Sequence, residues 1–241
     1  MENLYPYYKF EALLLLLNLK PPHMFTKAMI PVTVAALTIV LAQGCNSSDQ
    51  TRETSKQNEA VQTARQLEKE ELVARGEYLV TIGGCNDCHS PKIFNEKGME
   101  IDSSRLFSGH PANEPLFSVH SDALKPGQWI QMSPGITSFA GPWGVSFAAN
   151  LTPDSSTGIG AWSEEAFIRI FRTGKHLGQE NGRPILPPMP WFNLTRLKDE
   201  DLRAIYAYLR SLPAINNRVP APLPPQEAQK KSQVMQTTLK K

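Results

Sequence analysis

Three stretches of the chain repeat their apolar residues at the spacing of one helix face. The second stretch follows Ser163 and two glutamates, and the third follows an acidic triplet that begins at Asp199. Serine before a helix and acidic residues in its first turn satisfy the free N–H groups and the helix dipole. The pattern therefore predicts three helices. Their apolar positions are Leu72, Leu79, Val80 and Ile82; Phe167, Ile170 and Phe171; and Leu202, Ile205, Tyr206, Leu209 and Leu212.

The segment from Ile93 to Ala149 lacks such a period. It is rich in Gly, Pro and Ser, and it is long for a loop inside a compact domain. We therefore predict a loop-rich insertion between the first two of these helices. Loops of this length are often functional, and passive wrapping around a core with few helices is the equal alternative.

The beginning of the chain has the pattern of a targeting segment. After Lys27, residues 28–42 form an apolar run that is shorter than a spanning helix of roughly 20 residues but suits a signal peptide. We therefore predict an exported protein in which residues 1–45 are an N-terminal extension and a signal. Because nothing should precede a signal peptide, Met24 is the expected start, and a second anchor within residues 1–23 is the alternative.

The apolar run leads into LAQGC, in which Cys45 follows a small residue and precedes a polar stretch. LAQGC resembles the lipobox of bacterial lipoproteins, in which the cysteine is lipidated and becomes the mature N-terminus. The resemblance implies a lipoprotein anchored to a membrane on its periplasmic side, with residues 46–70 as a polar tether. A plain secretory signal cut nearby and an uncleaved anchor are the alternatives.

Charge and composition narrow the partners and the shape. The chain of 241 residues has 25 Lys and Arg against 23 Asp and Glu, a formal net charge of +2. This near balance argues against nucleic acid as the main partner. The 20 prolines predict much irregular structure. Residues 214–241 are Pro-rich and basic at their end, and we expect them to form a tail outside the core.

Cysteine is scarce, and its placement is the most informative chemical signal. Of the three cysteines, Cys45 is the expected lipidation site, which leaves Cys85 and Cys88 as the thiols of the exported domain. Thiols in an oxidising compartment are expected to be bonded. These two belong to CNDCH, and Cys-x-x-Cys-His is typical of c-type haem attachment. Sulfurs about one helical turn apart can bond the two porphyrin vinyl groups, and His89 then follows in position to ligate the iron.

Three other interpretations of CNDCH compete. A dithiol of the thioredoxin type is expected to open a helix after a strand in an alternating β/α pattern, which the sequence does not show. A structural zinc site needs four ligands, and the sequence offers neither a second cysteine pair nor paired histidines. A disulfide in a structural lipoprotein is the third interpretation, and it predicts a mature protein without haem.

Three blocks of sequence together resemble the bacterial mono-haem cytochrome c domains, particularly the modules that serve membrane dehydrogenases. The blocks are GEYLVTIGGCNDCHSPK, ANLTPDSSTGIGAWSEEAFIRIFRTGKH and PPMPWFNLTRLKDEDLRAIYAYLRSLP. The resemblance covers about Leu72 to Pro213 and implies a cytochrome c domain at residues 71–213. It implies an all-α cytochrome c fold, with the long loop-rich insertion between the haem motif and the helix that follows Ser163. That helix is the third of the family fold when the short helix of the haem motif is counted. It also implies one covalent haem c.

The resemblance also assigns the second axial ligand of the iron. The axial methionine of the family falls at Met189, in ILPPMPWF, where three prolines stiffen the loop that presents the thioether. The rivals for this position are Met99, Met132 and His176.

Other residues have expected roles around the haem and the helices. The haem propionates could accept hydrogen bonds from Asn150, Thr152, Trp162 and Trp191, and packing or turn chemistry is the favoured alternative for each of them. His110 and His120 are expected in solvent. Gly76 is expected to face Tyr206 or Tyr208 where the first and last helices cross.

These observations together predict an electron carrier rather than an enzyme. The expected partners are a dehydrogenase as electron donor, an oxidase or another cytochrome as acceptor, and the membrane through the lipid anchor. One alternative is the non-catalytic cytochrome subunit of a membrane sugar or alcohol dehydrogenase complex. Another is a haem-based redox or gas sensor, which requires an open or labile sixth position at the iron.

Overall fold

The structure is a computed structural model that describes residues 47–116 and 118–239. Met24, the apolar run and Cys45 lie outside the described residues, so the assignments of the signal and of the lipid anchor stay predictions. The described residues contain six α-helices and five short strands. Three single turns of 3₁₀ helix, at Ser103–Arg105, Ser121–Leu124 and His176–Gly178, connect them.

The helices include the three that the apolar pattern predicts. α1 spans Ser47–Ile82, α2 Cys85–His89, α3 Glu164–Thr173, α4 Trp191–Leu194, α5 Asp199–Ser211 and α6 Pro225–Leu239. The second half of α1, α3 and α5 correspond to the three predicted helices. The predicted polar tether is the helical first half of α1, whose side chains are exposed from residue 55 to residue 71.

The main core lies between α3, α5 and the end of α1. The hydroxyl oxygen of Ser163 accepts a hydrogen bond from the backbone N–H of Ala166 at 3.2 Å, which is the N-cap that the sequence predicts for α3. The buried members of this main core, of which the first belongs to α1, are Val80, Phe107, Ile159, Phe167, Ile170, Phe171, Leu202, Ile205 and Leu209. The apolar stripes of the three helices therefore meet as predicted, except that Ile82, at the end of α1, is 63% exposed.

α1 and α5 cross at Gly76 with no space for a side chain. A Cβ atom at Gly76 would lie 1.9 Å from the backbone oxygen of Ala204 and 2.7 Å from the Cβ of Tyr208. The expectation that Gly76 faces a tyrosine of the last helix is therefore confirmed, and the tyrosine is Tyr208. Beside the crossing, the Arg75 guanidinium forms an ion pair with Asp201.

The insertion contains all five strands, so the all-α prediction is not confirmed. β1 (Lys92–Asn95) pairs with β2 (Gly98–Ile101), and β3 (Gln131–Met132), β4 (Ser138–Gly141) and β5 (Gly144–Phe147) form a second sheet with β4 in the centre; every pairing is antiparallel. Each strand has only two to four residues, which is too short to show an alternating pattern. The fold is a helical domain with a sheet-containing insertion.

The C-terminal segment packs against this second sheet instead of extending away from it. Val145 in β5 and Leu223 exchange both backbone hydrogen bonds, at 2.8 and 2.9 Å. Ala228 in α6 is fully buried in a small cluster with Val145. The hydroxyl of Ser232 donates to the carbonyl of Val119 at 2.7 Å. The expectation of a tail outside the core therefore overlooks α6, whose few apolar residues show no long period.

Candidate haem site

The two cysteines lie on a single short helix, α2, which a left-handed glycine separates from α1. Gly84, with φ of 63°, is the N-cap of α2, and this conformation favours glycine. Cys85 and Cys88 are half-buried free thiols, and burial raises the pKa of both. Cys85 also packs against the main core. The motif therefore presents two neutral thiols about one turn apart.

The imidazole of His89 has a fixed tautomer. Its Nδ1 lies 2.8 Å from the backbone oxygen of Ala149, and because a carbonyl can only accept, Nδ1 is the protonated nitrogen. Nε2 therefore keeps its lone pair for a metal, the arrangement found in most metal-ligating histidines. Burial lowers the pKa of His89, and the bond to Ala149 opposes that shift only in part. The neutral ring is the form that ligates iron.

Lys92 fastens the end of α2 to the insertion. Its ammonium group donates to the carbonyls of Asp87 at 2.8 Å, Ser90 at 2.5 Å and Gly135 at 3.4 Å. A cation at a helix C-terminus also opposes the negative end of the helix dipole. Burial lowers the pKa of Lys92. Two contacts with the insertion therefore hold the C-terminal end of the haem-attachment motif. One runs from Lys92 to the Gly135 oxygen, and the other from His89 to the Ala149 oxygen.

Met189 lies on the same core as Cys85, whereas the rival methionines do not. Met189 and Cys85 both pack against the main core. Met99 and Met132 are 45% and 62% exposed, and they line a groove of about 380 Å³ together with Asp87, Lys92, Ile101 and Ile136. His176 belongs to a 3₁₀ turn, and burial lowers its pKa. Among the candidate methionines, Met189 is therefore the one that contacts the main core, as Cys85 does.

The donor set fits a covalent haem. Two free thiols on one turn of helix, a neutral histidine directed by a carbonyl, and a methionine on the shared core are the groups that a c-type haem uses. Residues 73–213, more than half of the chain, match the cytochrome c family. The chain belongs to the cytochrome c family. A domain of this family implies covalently bound haem c, so this cytochrome is an iron-binding electron-transfer protein.

The relatives of this cytochrome are subunits of dehydrogenases. It is 39% identical over 80 residues to a nicotinate dehydrogenase subunit of Pseudomonas putida, which covers 33% of this chain and 6% of that protein. It is 31% identical over 137 residues to the gluconate 2-dehydrogenase cytochrome c subunit of Pantoea cypripedii, covering 57% of this chain and 22% of that protein. The third is the cytochrome c subunit of the quinone alcohol dehydrogenase of Gluconobacter oxydans, at 27% identity over 139 residues, 58% of this chain and 21% of that protein.

This cytochrome spans less than two thirds of the length of those relatives, between 6% and 22%. Within its described residues, no helix combines the length and the apolar character needed to cross a membrane. In the same part of the chain, no group of three or more His, Cys, Asp or Glu side chains is arranged so that it could hold a metal ion.

Two of the predicted propionate donors are engaged within the protein. The Asn150 amide donates to the backbone oxygen of Ile215 at 2.8 Å and to the Thr157 hydroxyl at 3.2 Å. Its own oxygen accepts from the N–H and hydroxyl of Thr152 at 2.9 and 2.7 Å. Asn150 and Thr152 therefore organise the loop that follows Ala149. Trp162 and Trp191 are half-buried against the main core, and their predicted role stays a prediction.

The expectation that His110 is solvated is wrong, whereas His120 is exposed as expected. His110 is 1% exposed, its Nδ1 lies 2.9 Å from the Thr137 hydroxyl, and its ring packs on Phe147. Burial lowers its pKa to about 4. The sheet of the insertion encloses this ring, and the short strands that build the sheet carry no signal in the sequence that could have shown it.

Sequence reasoning also missed Ala149 and Ser146 as parts of the site. Ala149 acts through its backbone oxygen, for which no residue type is a signal. The Ser146 hydroxyl donates to the backbone oxygen of Pro187 at 2.6 Å, two residues before Met189. Only the folded sheet brings these groups next to the two candidate ligands.

Proposed function

We propose that this cytochrome is an exported electron carrier that holds one haem c between His89 and Met189. The hydrogen bond from His89 Nδ1 to the Ala149 oxygen carries the proposal. It leaves Nε2 as the only ring nitrogen able to ligate, in a side chain that directly follows two half-buried thiols. The packing of Met189 against the core that also contacts Cys85 supports it as the second ligand.

Each residue of the site has a distinct task in electron transfer. When bound, haem iron supplies a centre that cycles between the ferric and ferrous states. Cys85 and Cys88 would hold the porphyrin by thioether bonds, and His89 would ligate the iron. The thioether of Met189 favours Fe(II) and raises the reduction potential relative to a second histidine. If His89 and Met189 both ligate the iron, no position would remain for a gas, so this ligand set favours a carrier over a gas sensor.

We further propose that the donor is a dehydrogenase and that catalysis takes place on another chain. Three relatives are named as subunits of nicotinate, gluconate and alcohol dehydrogenases, and two of these names specify a cytochrome c subunit. The described residues correspond to a single cytochrome c match. The acceptor would be an oxidase or a further cytochrome, to which this chain would transfer one electron at a time.

The lipid anchor at Cys45 remains part of the proposal. The described part of the polar tether that follows it is helical. The first half of α1 is an exposed helix, and α1 as a whole has 36 residues, which corresponds to a length of about 54 Å at 1.5 Å per residue. A helix of this kind is a semi-rigid spacer rather than a flexible linker.

The number of haems and their attachment can be measured on the protein from a host with haem-attachment machinery. The haem that resists acid–acetone extraction should equal one per chain when it is quantified as its pyridine complex. A Cys85→Ala/Cys88→Ala double variant should retain none. Two haems per chain, or full extraction of haem from the wild type, would contradict the proposal. Loss of attachment with Cys45→Ala would also contradict it, because that cysteine serves only as an anchor.

A further inference from the structure

β5 and the residues that directly follow it bond to both candidate ligand segments. Ser146, in β5, donates its hydroxyl to the Pro187 oxygen at 2.6 Å, two residues before Met189. Ala149, just beyond the end of β5, accepts the bond from His89 Nδ1 at 2.8 Å. Two groups only three positions apart in the chain therefore hold the two segments that would supply the ligands of the proposed haem. The insertion contacts His89 through the backbone oxygen of Ala149. It contacts the methionine loop, residues 187–190, through the side chain of Ser146.

The methionine loop has few backbone groups with which to fasten itself. Pro187, Pro188 and Pro190 have no N–H, so Met189 supplies the only backbone donor in this stretch of four residues. The loop can therefore be anchored mainly through its carbonyls. The Met189 oxygen accepts from the N–H of Trp191 at 2.9 Å, and the Pro187 oxygen accepts from Ser146.

The Ser146 hydroxyl is held in the orientation that makes this bond. Ser146 is 7% exposed, and its oxygen accepts a hydrogen bond from Nε1 of Trp143 at 3.1 Å. This leaves the hydroxyl proton for Pro187, whose oxygen is much closer than that of Phe139 at 3.5 Å. The indole of Trp143 lies directly over Gly141, where a Cβ would be only 2.3 Å from its ring.

The strand that carries Ser146 is supported on both sides. β4 pairs with one edge of β5, and Leu223 bonds the other edge through Val145. At Gly144, a Cβ would lie 1.9 Å from the Leu223 oxygen, so the C-terminal segment lies directly against the strand. Ser146 is therefore a donor on a rigid support.

We propose that Ser146 is a positioning residue for the axial methionine, and that Trp143 orients its hydroxyl. The bond to the Pro187 oxygen limits the movement of the proline-rich loop and so keeps the Met189 thioether from leaving the iron. The insertion then has a defined role, which is to clamp the methionine loop from β5 while Ala149, just beyond that strand, directs His89. This inference rests on the proposed His89/Met189 ligation.

The test follows how fast an external ligand replaces the methionine. Imidazole added to the ferric protein can bind only when Met189 leaves the iron, so its binding rate reports loop opening. Loss of one neutral hydrogen bond is expected to raise that rate about fivefold in Ser146→Ala, with haem attachment unchanged. Ser146→Thr keeps the hydroxyl and should restore a rate near that of the wild type. Trp143→Phe keeps the serine but removes its orienting donor, and it should give a smaller increase.

Ser138→Ala is the matched control, because Ser138 is a buried serine on the neighbouring strand β4 and does not bond the Pro187 oxygen. Equal increases in Ser138→Ala and Ser146→Ala would show general loosening and overturn the proposal. A wild-type rate in Ser146→Ala, or in Trp143→Phe if the serine variant does not fold, would overturn it as well. Failure of the proposed function is separate: in that case the wild type itself lacks the far-red sulfur-to-iron band before any imidazole is added.

Discussion

His89 Nδ1 donates to the carbonyl of Ala149 across 60 positions of the chain. The N–H of Gly109 donates in turn to the His89 carbonyl at 2.8 Å, and the N–H of His110 donates to the oxygen of Ala148 at 2.9 Å. The segment around Gly109 therefore contacts both the haem-attachment helix and the segment whose carbonyl directs His89. Hydrogen-bond partners of a ligating histidine tune the iron as well as orient the ring.

Substitution of Gly109 should disturb the histidine more than backbone strain alone explains. Its φ is +78°, and a Cβ would lie 2.6 Å from the Ala148 oxygen and 2.7 Å from the Asn150 nitrogen. Gly127 has the same φ of +78° but no atom within 4 Å of its Cβ position. Gly127→Ala should therefore cost about 1 kcal/mol through left-handed strain, and Gly109→Ala about 3 kcal/mol or more because strain and overpacking add.

Urea unfolding of the haem-loaded variants measures both costs. The reduction potential should move in Gly109→Ala and stay at the wild-type value in Gly127→Ala, since only Gly109 contacts the segment that carries Ala149. Equal unfolding free energies for the two variants would show that the crowding around Gly109 has no consequence.

The crossing of α1 and α5 predicts a strong effect at Gly76. Its Cβ position overlaps the Ala204 oxygen at 1.9 Å, and because that atom belongs to a helix backbone, the two helices must separate. Gly76→Ala should therefore destabilise the domain by about 3 kcal/mol or more, although alanine favours a helix over glycine. Glu71→Ala, at an exposed position of the same helix, should change stability by less than about 0.5 kcal/mol. A stabilised Gly76→Ala protein would contradict the crossing.

The buried His110 should make stability fall in mildly acidic solution. Its folded pKa is about 4, against about 6.5 when unfolded, so the unfolded chain takes up a proton first as the pH falls. The stability present above pH 6.5 should decrease by up to about 3 kcal/mol by pH 4. Unfolding free energies measured across this range should show a flatter profile in His110→Gln. Identical slopes for the variant and the wild type would exclude His110 as the cause.

Asn217 should hold the segment after α5 against the haem domain. Its amide donates to the oxygens of Ser108 and His110 at 2.6 and 2.9 Å, and its oxygen accepts from the N–H of Ala112 at 2.9 Å. The neighbouring Asn216 is exposed and bonds only Ser156, at 3.1 Å, among the contacts described. Asn217→Ala should therefore cost about 2 kcal/mol and Asn216→Ala less than about 0.5 kcal/mol, both measured by urea unfolding. Similar losses at the two positions would contradict this role.

The sequence predicts those parts of the fold that depend on local pattern or on covalent chemistry. Phe167, Ile170 and Phe171 are buried as their helical spacing requires, and Ser163 caps that helix because its side chain suits the position. CNDCH indicates haem since two thiols and a histidine at this spacing have few other uses. In each case the information lies within a few neighbouring residues.

The remaining features arise from contacts between distant segments. The strands of the insertion have at most four residues, and their pairing depends on partners elsewhere in the chain. The burial of His110 follows from that sheet, and the role of Ala149 belongs to a backbone atom that every residue type possesses. α6 is likewise held by Ala228 and Ser232, small residues whose burial no apolar period announces.

The optical spectrum of the mature protein, compared with that of Met189→Ala, is the decisive measurement of the iron ligands. We predict covalent low-spin haem in the wild type, with a weak far-red sulfur-to-iron band in the oxidised form that is absent from the variant. Met99→Ala, which changes an exposed methionine of β2, should keep the band. A wild-type spectrum without the band, or a band that survives in Met189→Ala, would contradict ligation by His89 and Met189.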